Sequence, residues 1–255
     1  MTLLLQYTLI FASVLILVAL GGCFAEHSGV INLGLEGIMI MGALGGALTM
    51  RYLPSDAPAI VIILSVILVA AAVGMLYSCL LAVACINFKA DQTLVGTALN
   101  LLVGAITTFL LYLLFGLRGK LVDNRLMSLT KINLPLIRDI PFIGRVLENL
   151  TIIDYLSYIN AVILFVYLYK TVAGFRTLSV GINKAAAESL GTKATRIQME
   201  MVILSGALCG LGGVVLSMGQ VTMFTENMTS GRGFIAMAAA SLGMSHPLLV
   251  IAASL

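Results

Sequence analysis

The sequence predicts an all-α, polytopic integral membrane bundle. Of its 255 residues, 60% are hydrophobic and only 10% charged, with a mean hydropathy of +1.11, whereas a soluble domain carries roughly a quarter charged residues. Apolar runs recur along the chain, several near the ~20 residues that a helix needs to cross a bilayer. These runs lack internal turn signals. Backbone groups in hydrocarbon must be satisfied within the segment, so such runs read as helices rather than barrel strands.

In chain order, the runs fall at about 3–22, 30–50, 58–86, 93–117, 150–172 and 197–219, with a shorter one at 230–244, all in one transmembrane domain over 1–255. A last run starts near Leu248 and stops at Leu255, which reads as a bundle incomplete at the C-terminus. The "LGGC" at 20–23 imitates a lipoprotein cleavage site. A signal peptide starts with positive charge, and the first basic residue is Arg51, so a first membrane helix ending in a small-residue turn is the better reading.

Charge and cysteine usage exclude some classes. The net charge of +3 is spread over polar connections and offers no basic face for nucleic acid. Cys23, Cys79, Cys85 and Cys209 lie in or beside apolar runs, where cysteine acts as a small hydrophobe. There is no G-x-x-x-x-G-K-[ST] phosphate loop. His27 and His246 stand apart, without a metal or nucleophile pattern, so neither enzyme chemistry nor a bound cofactor or metal is expected in this chain.

Two long polar connections, 118–149 and 170–196, carry six and five basic residues and lie on opposite sides of the membrane, because one helix separates them. Counting Lys and Arg near span ends therefore leaves the orientation open. The stretch "NKAAAESLGTKATRIQ" from 183 is rich in helix formers and reaches Gly191. It reads as a short helix between two spans, either a docking surface or a simple connector.

An ionisable residue within a membrane segment is a functional candidate by default. Glu36 follows "SGVINLG", whose two glycines and Asn32 suit a broken helix. A Glu just after a break is also favoured by the helix dipole, so a helix start and a part in transport both remain open. "TSGRGFIAMAAASLG" at 229–243 repeats the design with Arg232 before a run too short to span. Interrupted segments at matching positions in two halves mark the central site of inverted-repeat transporters, although the two stretches share few identities. Thr93, Thr97, Asn100, Gly104 and Thr107 recur at helical spacing. Such a stripe faces protein or water, as interhelical hydrogen bonds or as a pore lining. Gly42 with Gly46, and Gly206 with Gly210, fit close helix packing.

Four blocks in one order, "AEHSGVINLGLEGIMIMGALGGA", "ADQTLVGTALNLL", "GFRTLSVGINKAAAESLGTKATR" and "NMTSGRGFIAMAAASLG", span 25–243. Together they resemble the membrane permease subunits of bacterial ABC importers for nucleosides and simple sugars, relatives of the ribose and branched-chain amino acid permeases. The resemblance implies a multi-pass protein of the bacterial cell membrane that works with a cytoplasmic ATP-binding subunit, a second permease subunit and an extracellular substrate-binding lipoprotein. ATP and Mg would be held by the partner ATPase and no cofactor by this chain. It also implies that 173–196 is the cytoplasmic coupling loop. Gly181, Asn183, Ala186, Ala187 and Gly191, with Glu188 among them, stand at the family's coupling motif. That places 118–149, 51–57 and the amino terminus outside, and 87–92 inside. Asn32, Glu36, Thr97, Asn100 and Arg232 are the candidates for the translocation path. An ion-coupled secondary transporter of small polar solutes is the alternative that Glu36 and a possible repeat leave open.

Overall fold

The computed structural model describes residues 2–54, 58–116, 120–121 and 150–255. Most of loop 118–149, and part of 51–57, therefore lies outside the described residues. In chain order the helices are α1 (Thr2–His27), α2 (Leu35–Tyr52), α3 (Ala59–Ala82), α4 (Gln92–Phe115), α5 (Ile152–Lys170), α6 (Val172–Ile182), α7 (Lys184–Ser189), α8 (Ala194–Val214), α9 (Arg232–Leu242) and α10 (Pro247–Ser254). Helix α3 continues as a π-helical turn over Val83–Asn87, and α8 as one over Val215–Val221. Strands β1 (Lys120–Leu121) and β2 (Phe224–Thr225) pair antiparallel, Lys120 opposite Thr225.

Among the described residues, five continuous stretches are long and apolar enough to cross a membrane: Leu4–His27, Ala59–Asn87, Gln92–Phe115, Ile152–Lys170 and Ala194–Val221. The run expected at 30–50 forms its helix only from Leu35, because Gly29 (φ +82) and the Asn32 side chain break the chain after α1. The short helix expected from 183 is α7, and Gly191 (φ +82) ends its turn before α8 begins at Ala194. Asn183 leaves helical geometry (φ −151°) and caps α7, so the six residues of α7 stand between α6 and α8.

Local chemistry explains the ends. Asp91 caps α4 by accepting from the Thr93 and Leu94 N–H groups at 2.9 and 3.0 Å. Gly116 closes it at φ +65. Thr151 and Asp154 form a reciprocal capping box at the start of α5. The Ser13 hydroxyl of α1 donates to that same carboxylate, tying α5 to α1 in the interior. Pro247 sits in the first turn of α10, where a missing N–H leaves no bond unmade.

Helix α8 is the centre of the bundle and packs on α1, α2 and α3. Between helices in lipid, attraction comes from close van der Waals approach rather than from a hydrophobic effect. Glycines permit it here. A Cβ on Gly42 would lie 2.3 Å from the Gly210 Cα, and one on Gly74 2.2 Å from the Gly206 carbonyl oxygen. Gly42, Gly206 and Gly210 thus occupy the close-packing positions that their spacing suggested.

Candidate functional site

The non-helical segment 28–34 runs between α1 and α2 among protein groups that bond to its backbone. Gln198 Nε2 donates to the Ser28 carbonyl (3.1 Å), the Ile31 N–H donates to Gln92 Oε1 (2.8 Å), and Asn100 Nδ2 donates to the Leu33 carbonyl (2.8 Å). Asn32, only 2% exposed, accepts the Gly34 N–H at 3.1 Å and donates to Ser205 Oγ at 3.0 Å. Irregular backbone at membrane depth persists only where protein or a water-filled cavity supplies its partners. Two spans, α4 and α8, supply them here.

Glu36 opens α2 and is 6% exposed. Its Oε1 accepts from the Thr229 hydroxyl and from the Gly231 N–H at 2.8 Å, and its Oε2 accepts the Gly233 N–H at 2.6 Å. The carboxylate of the first interrupted segment therefore caps the start of the second. Four N–H groups at a helix start have no partner within the helix, and the helix dipole favours negative charge there. Arg232 does not pair with Glu36; its Nη1 donates to the Met228 and Thr229 carbonyls at 3.2 and 3.3 Å. At the far end of α9, the Ser245 hydroxyl donates to Glu26 of α1.

The polar stripe on α4 divides. Asn100 grips the break from both sides, since its Oδ1 also accepts the Gly37 N–H at 2.8 Å, and Thr107 is buried. Thr93 and Thr97 are exposed, and the Thr97 hydroxyl donates to the Thr93 carbonyl of its own helix at 2.8 Å.

At the end of the bundle where α6 and α7 lie, Gly181 approaches the first break: a Cβ there would lie 2.3 Å from the His27 carbonyl oxygen. Asn183 Oδ1 accepts the Ala186 N–H at 3.1 Å, and Gly191 (φ +82) ends the turn after α7, its N–H donating to Glu188. Ala187 turns inward onto Val180 and Ala194, while Ala186 and Glu188 face outward. Lys184 Nζ donates to Gln198 Oε1 at 2.9 Å, and Gln198 holds Ser28, so this surface is wired to the first break.

Glu226, Gln198, Ser205 and Thr229 escaped the sequence reading. The three neutral residues carry no charge to mark them, and Glu226 sits in a polar stretch that resembles an ordinary loop.

A family model for the permease component of branched-chain amino acid transport systems matches residues 4–255. The chain belongs to this family. The permease is 38% identical to the guanosine ABC transporter permease protein NupQ of Bacillus subtilis, over 97% of this chain and 77% of that relative. It is 34% identical to the nucleoside ABC transporter permease protein NupC of Lactococcus lactis, over the same shares. A more distant relative, the glucose ABC transporter permease protein TsgB13 of Haloferax volcanii, is 25% identical over 94% of this chain and 64% of its own length. No solved structure matches the chain. The permease is accordingly a multi-pass subunit of the cell membrane that belongs to an ABC-type importer. Such permeases work with an ATPase and a binding protein, which decides against the ion-coupled alternative.

Proposed function

We propose that this permease carries nucleosides, in a complex with a cytoplasmic ATPase, a second permease and an extracellular binding lipoprotein. The carrying observation is the pair of relatives named for guanosine and nucleosides, at 38% and 34% identity across 97% of the chain. In this reading α6 and α7 face the cytoplasm, the 118–149 loop and the amino terminus lie outside, and α7 with Gly181, Asn183, Ala186, Ala187, Glu188 and Gly191 seats in the ATPase. ATP and Mg bind there and not on this chain. Glu36 frames the path by fixing the two interrupted segments to each other, Asn32 and Asn100 by holding the first of them to α8 and α4, and Thr97 and Arg232 border it. Closure of the ATPase would move α7, and the Lys184–Gln198–Ser28 chain would pass that shift to the break; ATP biases the equilibrium only through its unequal binding to the two states.

Reconstitution of the complete complex in proteoliposomes tests this. ATP-dependent uptake of radiolabelled guanosine is expected. Uptake of glucose without any nucleoside would sink the reading.

A further inference from the structure

A groove of about 550 Å³ opens beside α4, lined by Gly104, Ala105, Thr108, Phe109, Tyr112 and Glu226. Gly104 stands midway along the 24-residue α4, and a Cβ on it would lie 4.0 Å from Glu226 Oε1. The carboxylate is thus at mid-span depth. Glu226 is exposed and makes no hydrogen bond or ion pair with the described residues. A charge facing lipid at this depth is heavily penalised, so such groups face water or a partner. The chain around it is irregular, with positive φ at Thr222, Asn227, Ser230 and Gly231. Irregular backbone at this depth belongs against protein or along a water-filled cavity. Charge and irregular backbone at this depth therefore set the groove against water or protein rather than against lipid.

Its chemistry selects a ligand. An ionised carboxylate only accepts hydrogen bonds, through two oxygens that suit a pair of neighbouring hydroxyls. The exposed rings of Phe109 and Tyr112 offer faces on which any nucleobase can stack. The negative charge repels phosphorylated analogues.

We propose that this groove is a subsite of the solute path for nucleosides, with Glu226 accepting from the vicinal ribose hydroxyls and the Tyr112 and Phe109 rings stacking the base. It rests on the nucleoside reading given above. The test uses the assembled importer with its binding protein in proteoliposomes, driven by ATP, with guanosine and 2′,3′-dideoxyguanosine as labelled probes. Glu226→Gln is expected to raise the KM for guanosine about tenfold or more and to leave dideoxyguanosine uptake within about twofold. Tyr112→Leu is expected to raise the KM for both probes, and Tyr112→Phe for neither. A Glu226→Gln complex with a wild-type guanosine KM, an equal loss for both probes, or failure of that variant to assemble would each overturn the assignment. A wild-type complex that transports no nucleoside would sink the nucleoside reading itself, a distinguishable result.

Discussion

Glu36 Oε2 accepts the Gly233 N–H at 2.6 Å across 197 positions of sequence. That bond, with those from Thr229 and Gly231, makes one carboxylate the joint between the two interrupted segments. Glu36→Ala leaves two backbone N–H groups and a hydroxyl without their acceptor in the interior. It is expected to lower stability by about 3 kcal/mol. Glu36→Gln should lose less, since it keeps one acceptor oxygen but turns an NH₂ group toward a donor. Thermal unfolding of the purified protein in detergent checks this; an unchanged midpoint for Glu36→Ala would refute the joint.

The crossings were legible because hydropathy and length are one-dimensional properties, and the break after α1 because Gly29, Asn32 and Gly34 are poor helix formers in an apolar run. Pairing was not. Nothing in the sequence says that Glu36 serves the start of α9, since hydrogen bonds between residues nearly 200 apart leave no local period. The inward turn of Ala187 was hidden for a related reason. A six-residue helix has too few turns to define a face, and its small-residue pattern reads the same from either side.

Gly42 and Gly104 make a matched pair for testing close approach. The nearest atom to a Cβ on Gly42 is the Gly210 backbone at 2.3 Å, which no rotamer change can relieve. Gly42→Ala is expected to destabilise by about 2 kcal/mol or more and to reduce the folded yield. At Gly104 the nearest atom is 4.0 Å away, so Gly104→Ala should stay within about 0.5 kcal/mol of wild type. Fluorescence-detected size exclusion over a temperature ramp would compare them, and equal behaviour would refute the packing account.

Gln198 links the surface helix α7 to the first break, accepting from Lys184 and donating to Ser28. Gln198→Leu preserves volume but removes both bonds, at about 1 kcal/mol of stability. If the link carries the ATPase stroke, the assembled complex should keep hydrolysing ATP while its uptake falls several-fold. Lys184→Met, which removes one of the two bonds, should give a smaller loss. Parallel measurement of hydrolysis and uptake decides; a Gln198→Leu complex with wild-type uptake per ATP would remove the link from the mechanism.

Two side chains separate docking from folding on the α6–α7 surface. Ile182 and Leu190 are 86% and 85% exposed, so they contribute little to the fold, and serine at either position should shift stability by no more than about 0.5 kcal/mol. Apolar groups this bare at the end of a helix pair gain most when a partner covers them. Ile182→Ser and Leu190→Ser are therefore expected to weaken ATPase association about tenfold each without altering the unfolding midpoint. Gly191→Ala should do the reverse in part. Its φ of +82 is strained for any residue with a Cβ, so it should lower stability by about 1 kcal/mol while leaving the apolar contacts in place. Titration of the purified permease with the ATPase, beside a melting curve for each variant, checks both halves. Loss of binding that simply follows loss of stability across the three variants would mean that this surface is folded but not gripped.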